Sequence, residues 1–135
     1  ADKAPRADQI ERFTQANDLI ESNVMGALNA NFAFYRGMAA GGAFPQPMSE
    51  SDMLAEVWAQ EPAIRQETAD WLYPFLTLAY QPLTDTELDS YIAFSDSAAG
   101  KKANAAIFAA FDAMFVHVSQ ELGQSAARLM AGQAI

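Results

Sequence analysis

The chain predicts an all-α fold, and three observations carry that reading. Alanine supplies 28 of the 135 residues while Val and Ile together supply ten, a balance that favours helix over sheet. Apolar residues recur at helical spacing along most of the chain, and no strand-like alternation competes. Helix start and stop signals fall where those patterns begin and end. The length fits one domain, 1–135, large enough to bury a real core. The expected architecture is a bundle of four to five helices built on a long antiparallel helix pair.

The first helix is expected from Ala7 to Ala40. At 100° per residue, Ile10, Phe13, Ile20, Val24, Leu28, Phe32, Tyr35 and Met38 fall within a sector of about 120°. Asn17 and Asn31 lie inside the same sector, and Leu19 and Phe34 fall off it. Gly37, Gly41 and Gly42 supply helix-stop chemistry, and Ala43–Met48 reads as an extended loop.

Ser49 to Gln60 reads as a short helix capped by Ser49 or Ser51, with Met53, Leu54, Val57 and Trp58 on its apolar face. Glu61-Pro62 opens the next helix, since proline is tolerated in a first turn. Ile64, Thr68, Trp71, Leu72, Phe75, Leu76 and Tyr80 follow at helical spacing. Pro74 sits inside that pattern and is expected to kink or split it, because it lacks an N–H and crowds the preceding turn.

Thr84 and Glu87 form a T-x-x-E capping box, flanked by Leu83 and Leu88 in the positions of a hydrophobic staple. That helix runs to about Ser95, and Ser97 caps the last one, from Ala98 to Met130. On the last helix Ile107, Phe111, Met114, Val118, Leu122 and Leu129 cluster within about 80°, with Phe108 and Phe115 extending the sector. By spacing, this stripe and the Phe/Met residues of the first helix are expected to be mostly core. First and last helices of about 33 residues each, roughly 50 Å long, suggest pairing along their length.

The net charge of −9 argues against non-specific nucleic-acid binding, which needs a basic surface. No cysteine is present, so disulfides, thiolate metal sites and a cysteine nucleophile are excluded. No apolar run is long enough for a transmembrane helix. The charge is concentrated. Between Ser49 and Asp96 lie Glu50, Asp52, Glu56, Glu61, Glu67, Asp70, Asp85, Glu87, Asp89 and Asp96 against Arg65 alone, while seven acids and seven bases balance elsewhere. Such a segment reads as a solvated acidic face or as a docking surface for a basic partner. Asp85-x-Glu87-x-Asp89 has carboxylates at alternate positions but lacks the glycine turn of a calcium loop.

His117 is the one histidine, and Glu121 lies four residues on, within reach on one helix face. One His and one Glu make an incomplete zinc site. Asp112 is the one acid between Lys102 and Gln120 and sits near the edge of the apolar face. A second carboxylate to complete an acid–base pair is not identifiable. Asn17 and Asn31 either fix helix register, at some cost in stability, or line a pocket. On the register reading, Asn17→Leu is expected to stabilise the fold or loosen its specificity. Phe34 and Leu19 would mark a second buried face, an oligomer interface or a ligand groove. No nucleophile-elbow, phosphate-loop, dinucleotide or metalloprotease motif occurs. No catalytic, cofactor-binding or metal residue is therefore assigned, and an enzyme is not expected.

The stretch Leu83–Lys102 resembles the domain of unknown function 2059 family of exported bacterial proteins. That family shows an L/F-T-x-x-E-L start, then F-Y-x-S-P-x-G-x-K, then a long amphipathic helix. Leu83, Thr84, Glu87 and Leu88 match the start, and Phe94, Ser97, Gly100 and Lys102 match the second part. Ser95 replaces the usual tyrosine and Ala98 the usual proline. The likeness covers about residues 80–130. It implies an all-helical fold and export to the periplasm, and it carries over no catalytic residue. The start Ala1-Asp2-Lys3 fits a mature chain after signal cleavage or a trimmed one. In this corner Gly100 would permit close approach, and Lys102 would reach a carboxylate such as Asp96.

The expected function is a non-enzymatic, exported interaction module. It would use its acidic middle segment to bind a protein partner, or it would self-associate. The alternative is a carrier holding a small apolar ligand in a groove between helices lined by the Phe/Met stripes.

Overall fold

A computed structural model describes residues 5–132, and the Ala1 start lies outside the described residues. Among these residues the fold is all-α, with six helices and no strand. The helices are α1 (Pro5–Ala16), α2 (Leu19–Ala40), α3 (Glu50–Trp58), α4 (Glu61–Ala79), α5 (Asp85–Asp96) and α6 (Ala98–Gly132).

The expected first helix is two helices. The break falls at Asn17-Asp18, where Asp18 adopts φ 50°, the left-handed region that Asp and Asn tolerate better than other side chains. The Asp18 N–H bonds Gln15 O at 3.1 Å, and the Asn17 amide turns back to Phe13 O at 3.0 Å. Local hydrogen bonds thus replace the helical ladder at this point. Helix α4, by contrast, continues through Pro74 as one helix, so the expected split does not occur.

The caps fall where expected. Ser49 accepts from the Asp52 N–H at 3.1 Å and starts α3. Thr84 and Glu87 form a complete capping box at α5, with Thr84 N–H donating to Glu87 Oε2 at 2.8 Å. Ser97 accepts from the Gly100 N–H at 3.0 Å and opens α6.

The chain divides into two compact units. Unit 1 comprises Ala1–Val24 with Arg65–Phe108, and unit 2 comprises Met25–Ile64 with Ala109–Ile135. In unit 1, Ile10 and Phe13 of α1, Leu72 and Leu76 of α4, and Leu88 and Ile92 of α5 form a buried cluster. Phe13 meets Tyr80 and Tyr91 edge-on at ring separations of 4.8 and 5.0 Å. Arg6 ties the α1 start to the α4–α5 turn. Its guanidinium donates to Tyr80 O at 2.9 Å, to Leu83 O, and to Asp85 Oδ1 at 3.1 Å. Gln9 Nε2 adds a bond to Asp85 O at 2.9 Å, and Arg12 pairs with Asp89 at 2.7 Å. Residue numbers rise together along α1 and α5, so the two helices run parallel.

In unit 2 the long helices α2 and α6 pack together, and they too run parallel. Asn29 of α2 donates to Asp112 of α6 at 2.9 Å. Gly37 lies against Gln120 and Gln124, and Gly41 against Gln124 and Ala127. The expected antiparallel pair is therefore corrected to a parallel one. Parallel neighbours need a long crossover, and α3, α4 and α5 supply the intervening chain.

Gly37 also differs from its expected role. It lies inside α2 rather than ending it. A Cβ there would fall far inside contact distance of the Gln120 carbonyl, and one at Gly123 would do the same to the Phe34 carbonyl. These glycines bring two helix backbones together. Gly42, at φ +78°, takes the left-handed conformation just after α2.

Candidate functional site

Within unit 2, helix α6 turns its small and polar residues toward α2 and its apolar ones away. Gly123 and Ala127 are buried, and Asp112, Val116 and Gln120 are half-buried. About half a turn round the helix, the stripe expected to be core is open. Phe111, Met114, Phe115, Val118, Leu122 and Leu129 are exposed by 47–68% of their surface. Ile107, in the unit 1 part of the same helix, is exposed as well. The expectation that these residues are core is therefore corrected. The physical reason is the glycine seam. Gly37, Gly41 and Gly123 permit a backbone approach that no large side chain fits, so α6 presents its smallest face inward.

The row is ordered like a helical docking face. Phe111, Met114, Val118 and Leu122 recur every three or four residues, the spacing of a seam that meets another helix. Phe111 and Phe115 stack at a ring separation of 6.1 Å, with their planes 20° apart. An apolar stripe rimmed by polar residues marks an interaction surface rather than ordinary surface composition. Unit 1 carries a smaller one. On α4, Thr68, Leu72 and Leu76 point inward, while Trp71, Phe75 and Leu78 are exposed. Trp71 and Phe75 were expected at the same helical spacing as Leu72 and Leu76.

The other sequence candidates resolve into structure. Asn17 is 8% exposed, and its amide donates to both Phe13 O and the Ser95 hydroxyl at 3.0 Å. Asn104 Nδ2 donates to Asn17 O at 2.7 Å. Asn17 thus joins α1 to α5 and α6 in unit 1. Asn31 donates to Gln60 Oε1 at 3.0 Å in unit 2, and Asp112 accepts from Asn29. Leu19 packs against the unit 1 core, and Phe34 is half-buried beside Gly123. His117 Nε2 lies 3.4 Å from Glu121 Oε1 on open surface, with both side chains more than two-thirds exposed. Asp112 lies on the α2-facing side and does not join that pair. Among the described residues no three His, Asp or Glu side chains converge as a metal site would need.

Much of the acidic segment is occupied. Asp85 pairs with Arg6, Asp89 with Arg12, Glu50 with Arg36 and Asp96 with Lys101. It is Lys101, not Lys102, that reaches Asp96, at 3.9 Å. Each of these bases lies outside residues 49–96, so part of the surplus charge is neutralised where it stands. Hydrogen bonds from Arg12, then Gln9, hold the Asp89 carboxyl below its usual range, and the Thr84 backbone and hydroxyl do the same to Glu87. Asp85, Glu87 and Asp89 are each engaged, which removes them as a calcium cradle. Burial, followed by the neighbouring Tyr91, pushes the Tyr80 phenol up to about 12.

Two depressions lie in unit 1. One of about 630 Å³ is lined by Arg6, Tyr73, Pro74, Thr77, Leu78 and Gln81. A polar one of about 370 Å³ includes Asn17, Asp18, Asp96, Lys101 and Asn104. Neither is lined by the Phe/Met row of α6. Among the described residues no helix is long and apolar enough to cross a membrane. No protein-family model, curated protein or solved structure matches the chain.

Proposed function

We propose that the chain is a non-enzymatic interaction module that docks a partner through the apolar row of α6. The observation that carries this reading is the orientation of that helix. Its small and polar face is committed to α2, and six large apolar side chains remain open on the row. Surface of that kind is costly to leave in water, at roughly 25 cal/mol per Å², and covering it supplies a driving force for association. The acidic segment is the weaker candidate, because Glu50, Asp85, Asp89 and Asp96 are paired with bases from elsewhere in the chain. A ligand carrier is also less supported, since the Phe/Met row faces outward instead of lining a groove. The likeness of Leu83–Lys102 to exported helical proteins adds that the module works in the periplasm.

The reading is tested with a photoreactive residue placed in turn at Phe111, Leu122 and Ala113. Positions 111 and 122 lie on the row, while Ala113 is exposed on another side. Crosslinked adducts from 111 and 122 but not from 113 are expected. Equal yields from all three, or none from the row, would remove the docking face.

A further inference from the structure

The docking face has an occupant that its own dimensions and charges select. We propose that a second copy of this chain covers the α6 row, with the two α6 helices antiparallel about a two-fold axis between Val118 and Leu122. This rests on the docking reading above and adds the identity of the partner.

Area comes first. The six open side chains, each about half exposed, offer on the order of 600 Å² at roughly 100 Å² apiece. A standard interface takes about 800 Å² from each partner. The row is therefore large enough to serve as most of one side of a stable dimer, and a two-fold axis uses the same patch twice.

Charge decides between a second copy and a basic partner. The row itself is uncharged. The acidic surplus that would draw a basic partner lies in residues 49–96, before α6, where only Asp96 meets that helix, paired with Lys101; α6 itself carries Lys101, Lys102 and Arg128 against Asp112 and Glu121. Two chains of net charge −9 can thus meet at α6 without bringing their acidic segments' charge into the contact helix. Direction follows from the helix dipoles, which parallel pairing would align and antiparallel pairing opposes.

Antiparallel register also makes a position-specific demand. Phe111 and Leu129 lie at equal distance from the axis on opposite sides, so each faces the other's position across the pair. Positions near the axis face themselves.

The test uses the full chain, whose lack of cysteine lets single thiols report cleanly. Sedimentation over a concentration series should show twice the 14.6 kDa chain mass. Val118→Asp and Leu122→Asp should shift it to monomer with the helical circular dichroism unchanged, and Ala106→Asp, off the row, should not. With a short bis-maleimide, Val118→Cys should link to itself. Phe111→Cys and Leu129→Cys should link only when mixed. Self-linking at 111 and 129 would mean parallel pairing and would overturn the geometry. A dimer that survives both aspartates uses another surface and overturns the proposal. A chain that stays monomeric while a thiol at 118 reacts freely overturns the second copy but leaves the docking face. A monomer with that thiol protected overturns both.

Discussion

The Cα of Gly37 lies so close to the carbonyl of Gln120 that no Cβ fits between them. This contact explains why α6 faces the way it does. A helix pair that touches backbone to backbone buries glycine and alanine, and the bulky side chains of α6 are left on the outer side. Gly37→Ala should therefore cost about 1–3 kcal/mol through overpacking, although alanine favours helix by itself. Urea unfolding measures it. A stabilised variant would mean that α2 and α6 do not meet there.

Asn17→Leu should destabilise the chain by about 1–3 kcal/mol. This reverses the expectation drawn from the wheel, where Asn17 looked like a costly register device. Its amide in fact serves the Ser95 hydroxyl, 2% exposed, which leucine would leave without that partner. A midpoint shift to lower urea at unchanged slope is the expected readout.

Thr84→Ala should lower stability by about 0.5–2 kcal/mol, the usual cost of losing an N-cap side chain. The loss should be confined to α5 at first, seen as faster amide exchange at Asp85 to Glu87. Unaltered exchange there would show that the capping box is not maintained in solution.

Acid should weaken the chain in a particular window. Asp89 and Glu87 have folded carboxyl values below the unfolded ones. Their contribution is fully present above the unfolded range, at about pH 4, and is lost as pH falls through the folded values. Asp89→Asn should therefore reduce stability at neutral pH and flatten the acid-side decline. Urea midpoints from neutral to strongly acidic pH check both signs. A parallel offset at every pH would contradict the Arg12–Asp89 pairing.

Much of the secondary structure was legible in the sequence because capping chemistry is local. Ser49, Thr84 and Ser97 mark helix starts by side chains that bond their own backbone. The break at Asn17-Asp18 was also local, but the continuous apolar spacing around it outweighed two turn-prone residues. Tertiary direction was not legible. Antiparallel pairing is the economical guess for long helices, and the parallel arrangement depends on where α3, α4 and α5 carry the chain. The candidate site was misread for a related reason. A helix wheel shows which residues share a face, as it did for Phe111, Met114, Val118 and Leu122. It does not show which face turns inward. On α6 the glycine seam makes that choice, and Gly37 and Gly123 were the available signal, three residues before the end of α2 and nine before the end of α6, where the common rule that glycine means stop does not apply.

The orientation of α6 is the central claim, and thiol reactivity tests it most directly. Single cysteines at Val118, 52% exposed, and at Ala127, 1% exposed, sit on opposite sides of the helix. In dilute native protein the thiol at 118 should react with a maleimide at nearly the rate seen in urea, and the thiol at 127 many-fold more slowly. A fast 127 with a protected 118, at every protein concentration, would put the apolar row in the core and contradict the account.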